Sequence, residues 1–184
     1  MVAYICEHLG VDEAEATRLR QDYWQRYGAT LLGLMRHHGT DPHHFLWHTH
    51  QFPNLARMVV FERGLKAMLR RLPGRKIVFS NAPLHYTETV LELTKIADCF
   101  DAVYTVERIC FQPKPASSGF RHLLRAERLA PERCIMVEDS LANLKTAKHL
   151  GMKTVWVSTS TRQPSYVDVR LTSILDLPRQ LPRL

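Results

Sequence analysis

No apolar run in this chain approaches the roughly 20 residues needed to cross a bilayer. Its opening, MVAYICEHLG, lacks the basic stretch, apolar stretch and small-residue cleavage site of an export signal. A cytoplasmic location is expected, with no membrane partner. Cysteine is scarce. Cys6, Cys99, Cys110 and Cys134 lie far apart and form no C-x-x-C pair, which argues against a disulfide framework and against a zinc ribbon. They are expected to be reduced and mostly buried. Internal repeats and low-complexity stretches are missing, as are zinc-finger and RNP-type signatures.

What remains is 184 residues, 45% hydrophobic and 23% charged, enough for one packed domain or a core with a modest insertion. The net charge of +7 favours anionic partners. However, Arg18, Arg20, Arg26, Arg57, Arg70, Arg71 and Lys76 are scattered rather than gathered in one tract. A small anionic ligand fits this distribution better than dedicated nucleic-acid binding.

Two patterns divide the chain. From Asp12 to about His38 apolar positions recur at helical intervals, with Asp12 as N-cap, although Gly28 and Gly33 weaken the later part. A turn at Gly39-Thr40-Asp41-Pro42 leads into a short helix from His43 to about His48, so residues 1–57 read as a helical module. Beyond Phe52-Pro53-Asn54 helices alternate with short apolar strands. Strands are predicted at Lys76–Phe79, Ala102–Val106, Cys134–Val137 and Lys153–Val157, and helices at Glu62–Leu72, Leu84–Lys95, Ser118–Leu129 and Leu141–Leu150. Such alternation implies parallel pairing through right-handed crossovers, hence an α/β three-layer sandwich over residues 58–184. In the tail only a short docking helix near Ile174 is expected.

In open parallel sheets ligands sit beyond the carboxyl ends of the strands, so the residues just past each apolar run carry the interest. Ser80-Asn81 could donate to a phosphate together with the N–H groups opening the next helix, or could simply cap it. Lys114 is held between Pro113 and Pro115, placed either to neutralise an anion or merely to face solvent. Glu138-Asp139-Ser140 sets two hard carboxylates at a strand end, suited to Mg²⁺ or to helix capping. His44 and His48 are four apart on one helix, but no third ligand of defined spacing accompanies them, which favours solvent-facing or substrate-facing histidines over zinc.

Taken in order, IVFSNA, FQPKP and IMVEDSLANLKTAKHLGMKTVWV resemble the second, third and fourth motifs of the haloacid dehalogenase superfamily, over Arg63 to Val157. In the first module, YWQRYGATLLGL and HHGTDPHHF resemble the helical cap of its pyrimidine 5′-nucleotidase-like branch. The resemblance implies a Rossmann-like parallel sheet with a helical cap and a Mg²⁺-dependent phosphatase acting on a small phosphorylated metabolite. The finer branch points toward a pyrimidine nucleoside monophosphate. Ser80 and Asn81 would bind the phosphoryl group, Lys114 would neutralise charge, and Glu138 with Asp139 would hold the metal. Sugar-phosphate mutase chemistry, dehalogenation and a non-catalytic phosphate-binding role remain as alternatives.

The family's nucleophile and acid/base aspartates belong to a D-x-D pair on the first, central strand, and no D-x-D occurs in these 184 residues. The chain by itself is therefore expected to be inactive, and Met1 to be an internal methionine of a longer protein. The core is also expected to lack its central strand, leaving Lys76–Phe79 and Cys134–Val137 unpaired on either side of an open slot, with the five site residues at its mouth.

Overall fold

The computed structural model describes residues 1–184. Four helices form the first module: α1 (Val2–Leu9), α2 (Glu13–Tyr27), α3 (Thr30–His38) and α4 (Pro42–Thr49). Asp12 caps α2, its carboxylate accepting from Glu15 N at 2.8 Å, and Asp41 caps α4 in the same way from His44 N at 2.7 Å. The single helix expected from Asp12 to His38 is broken at Gly28, which adopts a left-handed conformation (φ 79°) and closes α2. The chain then reverses and α3 lies against α2. Gly33 permits this close approach, because a Cβ there would sit 2.1 Å from Tyr23 Cγ. The glycine that weakens the helix as a local signal is thus required by the packing of two helices. Helix α1 carries no strong cap and was not anticipated. Its Tyr4 and Ile5 join Ala16, Tyr23, Leu34 and Phe45 in a buried cluster that also takes in Val106 from the second module.

After the short α5 (Leu55–Met58), helix α6 (Leu65–Arg71) starts three residues later than expected, since Gly64 sits at φ 92° and interrupts any earlier helical path. The alternation then runs β1 (Ile77–Phe79), α7 (Leu84–Leu93), β2 (Ala102–Tyr104), α8 (Ser117–Ala126), β3 (Ile135–Glu138), α9 (Leu141–His149) and β4 (Lys153–Val157). A fifth strand, β5 (Val169–Leu171), and a short α10 (Leu177–Gln180) complete the chain. All pairings are parallel, in register Val78↔Val103, Val137↔Val155 and Trp156↔Arg170.

The sheet is divided. β1 pairs with β2 alone, and β3, β4 and β5 form a separate group in that order, so β1 and β3 share no backbone ladder. Between them lies an apolar cleft of about 550 Å³, lined by Ile77 and Phe79 on one side and by Ile135 and Met136 on the other. Phe120 of α8 meets Phe79 edge-on at 5.1 Å. Ile135 is 40% exposed although it lies in a strand of the core, which shows how open this edge is. One expectation fails in the interior. Only Cys99 is buried, Cys6 and Cys134 are half-buried, and Cys110 is exposed.

Candidate active site

Three strand ends meet at one edge. Past β1, Ser80 N donates to Tyr104 O at 2.8 Å, while its Oγ accepts from Ala82 N at 3.0 Å. That leaves the hydroxyl proton of Ser80 free to donate outward. Asn81 has a different task. Its Nδ2 donates to Lys114 O and its Oδ1 accepts from Lys114 N, both at 2.8 Å, so the side-chain amide clasps the backbone of the lysine loop. Any direct contribution of Asn81 to an anion comes through its backbone N–H.

Held by that clasp, Lys114 points inward. Its Nζ donates to Phe79 O at 2.6 Å, at the end of β1, and to Glu138 Oε1 at 2.7 Å, at the end of β3. Its side chain is 9% exposed and that of Glu138 10%. The ammonium therefore bridges the carboxyl ends of β1 and β3, which share no backbone ladder. Thr146 of α9 steadies the same loop by donating to Pro115 O at 2.8 Å.

Glu138 gathers four donors: Lys114, Asn143 Nδ2 at 2.6 Å, Asp139 N at 2.9 Å and Ser140 N at 3.2 Å. Burial pushes its carboxyl up, but the bonds from Asp139 and Asn143 and the Lys114 charge outweigh burial and hold it down at about 2. Asp139 responds oppositely. Its hydrogen bond to Glu138, partial burial and the Glu138 charge all push it up. The strand end is thus a carboxylate with a second, exposed carboxyl beside it whose affinity for a proton is raised. Asn143 escaped the sequence reading as a site residue, although it lies one helical turn beyond Asp139. Trp156 also escaped it, and its indole donates to Asp139 O at 2.9 Å.

A hard cation fits this donor set. No group of three or more His, Cys, Asp or Glu side chains is arranged to hold a metal. Mg²⁺, however, is commonly satisfied by one or two carboxylates with waters completing its shell. Asp139 is exposed at the same strand end, and a cation there would ease its repulsion with Glu138. Three histidines of the first module pair with tyrosines instead. Tyr4 hydroxyl meets His44 Nδ1 at 2.8 Å, Tyr23 meets His38 Nε2 at 2.7 Å, and Tyr27 meets His37 Nε2 at 2.6 Å.

A family model described as haloacid dehalogenase-like hydrolase matches residues 3–151, and the chain belongs to that family. Rat N-acylneuraminate-9-phosphatase is 27% identical over 177 residues, covering 90% of this chain and 68% of that protein. Hexitol phosphatase B of Escherichia coli K12 is 29% identical over 102 residues, covering 53% of this chain but only 46% of the relative. Among solved structures, a HAD phosphatase from Thermococcus onnurineus superposes with a TM-score of 0.65 at 21% identity, covering 98% of this chain and 86% of that one. At that identity the match speaks for the fold. No helix is long and apolar enough to cross a membrane.

Proposed function

We propose that the strand-end cluster is the phosphate- and metal-binding half of a Mg²⁺-dependent phosphomonoester hydrolase. The observation that carries this reading is the position of Lys114 Nζ, fixed between Phe79 O and Glu138 Oε1 with the Ser80 hydroxyl at the neighbouring strand end. A buried ammonium held by a backbone carbonyl and one carboxylate is preorganised to receive further negative charge, the main requirement of phosphoryl transfer. Ser80 supplies a hydroxyl donor, and Glu138 and Asp139 would hold the metal. When bound, Mg²⁺ would neutralise charge on the phosphoryl oxygens.

The relatives are named as phosphatases of small phosphorylated metabolites, among them glyceraldehyde 3-phosphate phosphatase of Pyrococcus furiosus. For this chain the finer reading is a pyrimidine nucleoside 5′-monophosphate, supported by the likeness of the helical module. Displacement would proceed through an aspartyl-phosphate, and the 184 residues hold no D-x-D pair to form it. By themselves they bind and position phosphate without turning it over, which is also what a non-catalytic phosphate-binding protein would do.

Two measurements on the purified chain test the reading. Inorganic phosphate should bind more tightly with Mg²⁺ present than without, and Ser80→Ala and Asp139→Asn should each weaken it, while 4-nitrophenyl phosphate should not be hydrolysed. Robust hydrolysis would overturn the assignment of the missing nucleophile. Phosphate binding indifferent to both substitutions would overturn the site.

A further inference from the structure

A second cavity, of about 200 Å³, lies where the helical module meets the core. Nine of its fourteen lining residues are hydrophobic, with Leu31 and Phe45 on the cap side and Val106 and Phe111 on the core side. It touches the candidate site directly, because Asn81 and Pro113 also line it. Its volume is informative. An apolar cavity of about 150 Å³ holds benzene, so this one has room for a single substituted ring and little more.

Among its lining residues the one ionisable side chain is His50. The hydrogen bonds around that imidazole fix its tautomer. Nδ1 lies 3.1 Å from Leu46 O and 3.1 Å from Thr49 Oγ1. A carbonyl only accepts, and the Thr49 hydroxyl has already given its proton to Phe45 O at 2.7 Å, so it too must accept. Both neighbours of Nδ1 are acceptors, so Nδ1 carries the proton. Burial pushes the ring's pKa down and favours the neutral form, in which Nε2 is a bare acceptor.

We propose that this cavity is the leaving-group pocket, that it selects phosphomonoesters bearing one flat, largely apolar ring, and that His50 Nε2 accepts a hydrogen bond from an N–H or O–H on that ring. The inference rests on the phosphatase reading for its phosphate anchor and departs from the nucleoside monophosphate in naming a smaller ring ester, because ribose hydroxyls buried here would lack partners. Polyhydroxylated chains are disfavoured, because burying several hydroxyls against Leu31, Phe45 and Val106 leaves them without partners.

The test is a binding series on the purified chain with Mg²⁺, followed by calorimetry and NMR. Phenyl phosphate should bind on the order of tenfold tighter than glycerol 1-phosphate, the preference expected for burying a ring. 3-Hydroxyphenyl phosphate should gain about another fivefold, the worth of one net hydrogen bond. His50→Phe, which keeps ring volume but removes the acceptor, should erase that second step alone. Ala29→Leu, at the cavity rim, should erase the first while leaving inorganic phosphate binding unchanged. Equal affinity for phenyl and glycerol phosphates, or a hydroxyl preference that survives His50→Phe, overturns the proposal even when phosphate binds normally. If phosphate itself fails to bind, the phosphatase reading falls, and free phenol then probes the cavity. Binding of phenol that Ala29→Leu blocks supports the pocket, and no binding overturns it.

Discussion

Replacing Lys114 with Met would leave Glu138 charged, nearly buried and without its counter-ion. At 2.7 Å the pair attracts by roughly 6 kcal/mol in an effective dielectric near 20, before the cost of removing both charges from water. Breaking a buried pair on one side commonly costs about 3–5 kcal/mol, because the stranded charge keeps its desolvation penalty. Glu138 retains bonds from Asn143 and from two backbone N–H groups, which places the expected loss near the lower end, about 3 kcal/mol. Lys114→Met/Glu138→Gln keeps an acceptor for those donors and removes the stranded charge, so it should recover about half of the loss. Urea unfolding of the four proteins of this double-mutant cycle, in chelator-treated buffer at neutral pH, measures the coupling. A single mutant within about 1 kcal/mol of wild type, or a double mutant as unstable as the two singles added together, would refute the account of Lys114 as a buried bridge.

Asn81→Ala removes both hydrogen bonds that clasp the Lys114 backbone and should cost about 1–3 kcal/mol while loosening phosphate binding; unchanged phosphate affinity would mean the loop is held some other way. Gly119→Ala would place a Cβ 2.3 Å from Gln112 O, a backbone atom with little freedom to yield, so α8 must shift against the loop leading to Lys114 at a cost of about 1–3 kcal/mol, read by thermal unfolding. Asp168 accepts from Thr154 N, from the buried Thr154 hydroxyl and from Lys148; burial opposes its charge, but these partners lower its carboxyl below the usual 3.8. Its contribution to stability is therefore complete above that value and is lost as pH falls through its lower folded one, and Asp168→Asn should flatten this part of the acid-unfolding curve.

The core strands were legible because each is a β-branched run bounded by turn residues, and four of the five were placed within two residues. β5 was not, since three residues in a polar tail carry no period, and its place depends on Asp168 reaching back to Thr154. The order Ser80, Lys114, Glu138-Asp139 past successive strands was visible in the sequence, and the lack of a ladder between β1 and β3 followed from the family resemblance. What each side chain does there was less visible. Spacing gives no hint that Asn81 spends its amide on Lys114, or that Asn143 rather than solvent completes the shell of Glu138. The break at Gly28 and the Gly33–Tyr23 contact were hidden for a similar reason, because a helical period continues through both while the α2–α3 packing decides where the helix stops.

Because β1–β2 and β3–β4–β5 share no ladder, no backbone bond obliges them to melt together. β4 is paired on both sides and carries Val155 at 0% exposure, whereas β1 leans only on β2. The amides of Val155 and Trp156 should then exchange with deuterium on a much slower clock than that of Val78. What joins the two groups is a handful of side chains, chiefly the Lys114 ammonium and the Phe79–Phe120 edge contact. A ligand that grips Ser80 on one group and Asp139 on the other would tie the two together and should bring their exchange rates closer.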